Sequence, residues 1–475
     1  MSTVKKAARN SVIIFTGDII VRIITFFITL ILIRYLGSGN FGKYSLVYAF
    51  LSFFQIFVGT AIDPIILREL SRDPQKGGEL IGSAITLRFL FSLLGLILCW
   101  IALQWMPYPA DIKILIYLAS LWLPFSFGLL FDNIFQAKLS MKYVTVITVL
   151  MKVLLAIFTI LFIFLKAKLF YFILINLLIY IAQIIFIYYQ SRKILLISVK
   201  IDLRTWKELV KNSWPLALGI LFASIFSRID QILLFHMKSQ EELGLYAAAV
   251  KLAEYPFIIA AAFLASVFPL LSEYAITSPG IFKRIYEITL KYLMIFIIPI
   301  AVMTTLYSRQ IILVCYGRNF LPAQLALAIL IWSTVFAFGG IVQNDSLVAT
   351  NLQLFSIIFP GITVFLNVFL NLMLIPKYSL VGAAIATTVS YGINIPIGYL
   401  LKRTRIFTTA IVKSMVKPLL ASLLAAYTVY FLSFPHIIFN FILTLIIYLF
   451  LIFLIGEIDA TDIKYGKKIL FNSAD

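Results

Sequence analysis

Four residues after Asp18 comes Arg22, and Thr25 and Thr29 follow at spacings of three and four, so a helix here would carry all of them on one face. Ser224, Arg228 and Gln231 form a second such stripe, with Asp230 beside it. Arg88, Asp132, Lys152, Lys251, Glu254 and Asp345 also stand within apolar sequence. Thr363, Asn367 and Asn371, then Thr387, Tyr391 and Asn394, add neutral polar groups at helical spacing. Ionisable groups in apolar spans are costly and face a cavity or a partner. Arg22, Arg88, Lys152, Arg228 and Lys251 outweigh Asp18, Asp132, Asp230 and Glu254. A cationic excess suits an anionic ligand, phosphate above all, while the carboxylates are candidates for a coupling proton or sodium ion.

Structural roles compete at several of these positions. Asp18 with Arg22, and Lys251 with Glu254, are close enough along a helix to neutralise each other. Arg88 and Lys152 have no acid in their own apolar runs, which favours a cavity role. Asp345 lies near a helix end, from which it can snorkel, and His236 and His436 read as interfacial. Gly219, Pro256, Pro299, Pro360 and Pro396 mark bending points or tolerated kinks.

The elements carrying these residues are membrane spans. The chain has 475 residues, 62% hydrophobic and 12% charged, with a mean hydropathy of +1.05. An ordinary soluble domain is about 45–50% apolar and about 25% charged. A soluble enzyme, a disordered chain and a disulfide-stapled module are excluded. Cys99 and Cys315 both lie in apolar surroundings, which argues against a metal site or a disulfide framework. A spanning helix needs about 20 apolar residues. About 14 such runs occur: 11–34, 42–66, 80–105, 111–136, 143–165, 168–190, 209–235, 243–273, 284–307, 323–346, 352–375, 379–401, 410–432 and 436–456. The longest connection, 191–208, is basic and too short for a domain.

The net charge is +19. In a soluble protein it would point to nucleic acid; between spans it reports topology. With both termini cytoplasmic, one set of connections carries about 24 Lys and Arg and the other about 9. The cytoplasmic set includes Lys5, Lys6 and Arg9; Arg68, Arg72 and Lys76; the cluster from Arg192 to Lys211; Lys402, Arg403 and Arg405; and Lys464, Lys467 and Lys468. The apolar run after Arg9 is longer than a signal-peptide core and lacks a small-residue cleavage site, so the first helix is expected to remain in the mature protein.

The chain also resembles itself at an offset of about 202 residues. Asn10-Ser11 and Gly17 match Asn212-Ser213 and Gly219, and Gly42 and Tyr44 match Gly244 and Tyr246 without a gap. Pro64 and Pro269 match if a short gap is allowed. The offset spans six helices, so both copies enter the membrane in the same direction. The expected fold is an all-α integral membrane protein with a six-helix N-lobe (1–200), a six-helix C-lobe (201–405) and two extra helices with a tail (406–475). The lobes are expected to face each other around a central cavity.

No GxxxxGK[ST], HExxH, GxSxG or Cys/His cluster occurs, so neither on-chain ATP drive nor hydrolase chemistry is indicated, and no cofactor or metal is expected. The first external connection, Leu36 to Lys43, has no acid, and no external connection is long. A membrane glycan polymerase or glycosyltransferase is expected to need both.

Several segments resemble the polysaccharide-export flippases of the MOP (MATE-like) superfamily, the Wzx-type O-antigen transporters. They are Lys5 to Gly17, RYLGSGNFGKYSLVYAF (34–50), REL (68–70), GLYAAAVKLAE (244–254) and LIPKYSLVGAAIATTVSY (374–391). The resemblance runs nearly end to end, and its motifs mark the family better than its subfamilies. It implies a two-lobed, V-shaped fold of 12 to 14 helices in the cytoplasmic membrane. It implies movement of a polyprenyl-pyrophosphate-linked oligosaccharide from the cytoplasmic to the outer leaflet; alternating access between the lobes, driven by an ion gradient, is the expected mechanism. Related peptidoglycan-precursor flippases have a cationic cavity whose arginines meet pyrophosphate; Arg22, Arg88 and Arg228 fit that role by type and helix, not by an aligned motif. Membrane lipids, a glycan polymerase and chain-length machinery are the implied partners, and nucleic acid is not. The rival readings are a MATE-like cation antiporter, a glycan polymerase or glycosyltransferase, and a non-transporting scaffold. Drug-exporting members are expected to have a more acidic cavity, which argues against the first.

Overall fold

A computed structural model describes residues 3–73, 75–432 and 437–457. Among these the chain is helical throughout, with no strand. It divides into two compact units, Met1–Ile232 and Leu233–Asp475.

The first unit begins with α1 (Thr3–Ser52), broken at Gly37, whose φ of 69° lies in the left-handed region that glycine tolerates. The connection expected at Leu36 to Lys43 is thereby compressed to one residue. Two 3-10 turns, Phe53–Val58 and Thr60–Ile62, meet at Gly59 (φ 72°) and lead into α2 (Asp63–Arg72). The expected span 42–66 is therefore discontinuous. α3 (Gly77–Trp105) is unbroken. The next pass winds as α4 (Ala110–Ser120), a 3-10 segment (Leu123–Leu129) containing Pro124, and α5 (Leu130–Ala137). α6 (Lys142–Phe164) and α7 (Leu169–Ser191) follow. α8 (Leu203–Met237) crosses the boundary between the units.

In the second unit α9 (Gln240–Glu254) and α10 (Phe257–Thr277) make one pass, broken at Tyr255-Pro256. α11 (Pro279–Leu306), α12 (Ser308–Cys315) and α13 (Gln324–Ala349) precede α14 (Phe355–Gly392). α14 is broken at Ser379 (φ 50°) and continues into α15 (Asn394–Leu400). Three contacts hold this break. Lys238 donates to the Pro376 carbonyl at 2.8 Å, Ser379 donates to Glu242 at 2.7 Å, and Gly382 lies so close to the Leu374 carbonyl that a Cβ would sit 2.4 Å from it. α16 (Arg405–Leu432) and α17 (Ile437–Leu454) close the unit. α17 docks through Tyr448, which packs with Ala421 and Ala425 and donates to the Ile295 carbonyl at 2.7 Å.

Ten helices among the described residues are long and apolar enough to cross a membrane. Two of them, Val12–Val58 and Phe355–Leu400, each hold two passes across a break, and α9–α10 and α17 supply two more. This agrees with the expected number of about fourteen. The repeat is visible in the boundaries. Gly37, where the first pass of α1 ends, and Ser239, just past α8, are 202 apart; so are Ser52 and Glu254, and Gly77 and Pro279. Further on the offset lengthens: Lys142 and Phe355, and the positive-φ residues Lys166 and Ser379, are 213 apart. The added residues fall around α12 and its following 3-10 turn.

The connection 192–202 lies against the start of α3. Ser198 N–H donates to the Gly78 carbonyl, Thr86 donates to the Lys200 carbonyl, and Trp206 Nε1 donates to the Ser83 carbonyl. A Cβ on Gly82 would lie 1.8 Å from the Ser198 carbonyl oxygen, so the approach requires glycine. Asp202 caps α8 through Thr205 and Arg204, and these donors, led by the Thr205 hydroxyl, hold its carboxyl below the ordinary range.

Candidate functional site

Arg88 is fully buried in the first unit. Its Nη2 donates to the Gly59 carbonyl at 2.6 Å and to Asp63 Oδ1 at 2.7 Å. The 3-10 turns explain the first contact, because they leave the Gly59 carbonyl outside a regular helical ladder. Asn133 Nδ2 also donates to Asp63, at 3.1 Å. Asp132 and Tyr180 are electrostatic neighbours of Arg88. Several buried atoms here have no hydrogen-bond partner: Nε and Nη1 of Arg88, Oδ1 of Asp132, the Tyr180 hydroxyl and the Ser126 hydroxyl. Leu87, Leu130, Phe131, Ile134 and Phe135 form the apolar surround.

Tyr180 also lines a cavity of about 280 Å³ within the same unit. Lys152 of α6 lines it too, with Gln55, Trp122, Asn176 and Gln183. Lys152 is half-buried and has no hydrogen-bond or ion-pair partner among the described residues. Gln183 Nε2 donates to Thr148 at 3.1 Å, and Asn176 donates within its own helix. The cavity therefore presents one cation, uncompensated among the described residues, with a few amides, hydroxyls and aromatic rings in a lining that is otherwise aliphatic, Leu51, Met151, Leu155 and Ile173 among it. That arrangement suits an anion.

The second unit gathers its neutral polar residues across the break in α14. Asn371 Nδ2 donates to Asn367 at 3.0 Å, and Asn367 Nδ2 approaches Thr387 at 3.4 Å. Thr387 reaches the buried Tyr246 of α9 at 3.4 Å, and Asn394 Nδ2 donates to Thr363 at 3.0 Å. Asn367 and Asn371 are completely buried. The sequence spacing thus marks a network joining both halves of α14 to α9.

The other candidates are scattered. Asp18 and Arg22 are exposed on α1, and no ion pair joins them. Arg228 is half-buried on α8, next to the buried Ser224, Asp230 and Gln231. Lys251 and Glu254 do pair, at 3.1 Å, and are half-exposed. Asp345 is half-buried on α13, and His236 is exposed near the end of α8. His436 and the basic tail residues Lys464, Lys467 and Lys468 lie outside the described residues, as do the side chains of Lys5, Lys6 and Arg9. For Arg88, an acid-free helix suggested a cavity role; the acid instead comes from α2, 25 residues away. The sequence does not single out Asp63, Asn133 or Tyr180, and it marks Tyr246 through the internal repeat. Asp63 left a signal, an acid inside the expected span 42–66.

The family described as Polysaccharide biosynthesis protein matches residues 7–275. The chain is 24% identical over 170 residues to the "Probable low-salt glycan biosynthesis flippase Agl15" of Haloferax volcanii. That alignment covers 36% of either protein, so the chain matches about a third of the length of this curated relative. Among solved structures it resembles "Lipid II flippase MurJ, inward closed conformation", with a TM-score of 0.75 and 16% identity over 94% of this chain and 98% of that one. It also resembles an inward-facing MATE family multidrug resistance transporter of the MOP superfamily, with a TM-score of 0.62 and 14% identity over 84% and 96% of the two chains. A third likeness is a MOP superfamily transporter from Pyrococcus furiosus described as having a binding pocket of reversed polarity. Its TM-score is 0.57, with 14% identity over 86% of this chain and 96% of that one. These likenesses show that the chain shares the fold of these solved transporters.

Proposed function

The chain belongs to the polysaccharide biosynthesis protein family, and from this premise we propose that it is a lipid-linked oligosaccharide flippase. It moves glycan units carried on polyprenyl pyrophosphate across the cytoplasmic membrane by alternating access, with both termini on the cytoplasmic side. The observation that carries this reading is Lys152, without an ion-pair partner among the described residues, in a cavity of mixed polar and apolar lining within membrane-spanning helices. Arg22 and Arg228, which also lack ion-pair partners among the described residues, are further candidate contacts for the pyrophosphate. Arg88 and Lys251 have carboxylate partners and serve the binding path less directly. The flippase names of one glycan-biosynthesis relative and one structural neighbour support the same substrate class.

Physical chemistry gives the need for such a path. Each unsatisfied polar group costs several kcal/mol in hydrocarbon, so a pyrophosphate and a row of sugar hydroxyls cannot cross unaided. A lined route for the head lets the prenyl tail remain in lipid. An ion gradient supplies the drive, about 2.3 kcal/mol per charge per 100 mV. Asp18, Asp132, Asp230 and Glu254 are the candidate coupling groups. A glycan polymerase and chain-length machinery would receive the product.

The test is a leaflet assay. Purified protein in liposomes is given a polyprenyl-pyrophosphate oligosaccharide, whose accessibility from outside is followed with and without an ion gradient. Protein-dependent movement, reduced at least tenfold in Lys152→Ala or Arg22→Ala, supports the flippase. The likeness to a multidrug transporter motivates one alternative reading. No glycan movement together with gradient-driven efflux of a small organic cation would favour that antiporter.

A further inference from the structure

We propose that the first unit contains a proton-exchange site at Asp132, supplied from the Lys152 cavity through the Tyr180 hydroxyl. This rests on the transport reading for its use, but not for its chemistry.

The charges make the case. Arg88 provides one positive charge, and Asp63 and Asp132 provide two carboxyl groups. Asp63 is satisfied by Arg88 and Asn133. Asp132 is not: its Oδ1 is buried and unpartnered. Arg88, at 0% exposure, has two nitrogens without acceptors. Such a group among apolar side chains is expensive unless another arrangement satisfies it. Two arrangements do so in turn. With Asp132 protonated, Arg88 and Asp63 balance each other. With Asp132 ionised, the idle Nε and Nη1 provide its donors, and one guanidinium bridges two carboxylates.

The groups facing Asp132 are Asp63 on α2, Arg88 on α3 and Tyr180 on α7. On the same neighbouring helices, Tyr188 packs on Phe131, Tyr143 packs on Phe135, and Lys152 points to the cavity lining. Tyr180 is the one that belongs to both places. It lines the cavity, while its buried hydroxyl has no partner and interacts electrostatically with Arg88 and Asp132. Neither atom has a hydrogen-bond partner where it stands. A side-chain rotation that brings the Tyr180 hydroxyl to Asp132 Oδ1 lets it pass its proton there and take one from a hydronium ion in the cavity, which leaves as water, so that Tyr180 is unchanged and the cluster is one charge more positive. The reverse sequence empties the site.

The site also touches the backbone. The Nη2 that holds Asp63 holds the Gly59 carbonyl, at the junction of two 3-10 turns. A guanidinium drawn toward ionised Asp132 loosens that hold. Proton occupancy and the winding of the second pass are thereby linked.

Infrared difference spectroscopy of the full protein in liposomes, titrated in pH, provides the test. A protonated-carboxyl C=O band should titrate in the wild type and vanish in Asp132→Asn, while that variant keeps its elution profile and helical content. Tyr180→Phe should keep the band but slow its response to a pH jump at least tenfold. A wild type without such a band, or an Asp132→Asn difference spectrum identical to it, overturns the site. An unchanged rate in Tyr180→Phe overturns the route. The flippase reading fails separately: glycan that never moves, with the Asp132 band present, removes transport and leaves the proton site.

Discussion

Arg88 shows how much depends on one partner. Its pairing with Asp63 satisfies a buried charge that would otherwise be stranded. Breaking a buried pair by removing one member costs about 3–5 kcal/mol, because the other charge stays buried. Arg88→Ala should therefore lower the unfolding midpoint in detergent markedly, and Arg88→Ala with Asp63→Asn should recover part of the loss. A single variant as stable as the wild type would mean the pair contributes little. Lys152 is the opposite case: a cation without a counter-charge among the described residues gains little stability where it stands. Lys152→Ala should leave membrane insertion and unfolding nearly unchanged while reducing glycan export, read as surface glycan in cells that depend on the variant. The two residues look alike in the sequence, each a lone base in an apolar run. Their difference is set by side chains on other helices, which periodicity cannot report.

At the scale of elements, the broken passes and the docked connection matter most. Hydropathy finds a pass whether or not it is continuous, so the break at Gly59 is invisible inside the span 42–66, whereas the break at Ser379 falls at the boundary between the expected spans 352–375 and 379–401. The connection 192–202 reads as a basic link, yet Gly78 and Gly82 bring it against α3. Gly82→Val should displace it, seen as proteolysis between Arg192 and Lys200 at least tenfold faster than in the wild type. At its far end, the depressed Asp202 carboxyl means that the cap on α8 is present above the ordinary Asp value of 3.8 and is lost as pH falls through the lower folded value. The amide signals of Arg204 and Thr205 should follow that titration with a midpoint below 3.8, and Asp202→Ala should abolish it. A midpoint at the ordinary value would show that the cap is not formed.

For the whole molecule, about fourteen passes and the proposed cytoplasmic placement of the termini predict a topology that can be measured. A cysteine placed at Leu196 should react with an impermeant thiol reagent only from the cytoplasmic side. One placed at Lys166 or Arg318 should react only from outside. Any other pattern would refute the assigned orientation. Class, number of passes, charge bias and internal repeat are legible along the chain, because hydropathy and charge are properties of consecutive residues and the bilayer has a fixed thickness. The repeat even predicts where helices begin and end, as the 202-residue spacing of Gly77 and Pro279 shows. The chemistry is less legible. Thr363, Asn367 and Asn371 declared a network because they share one helix face. Asp63, Arg88, Asp132 and Tyr180 did not, because they come from four helices and meet only when those helices pack. A spacing rule works within one helix. The folded unit alone brings a guanidinium to its carboxylate and leaves another cation open to a ligand, because both outcomes depend on which helix faces meet.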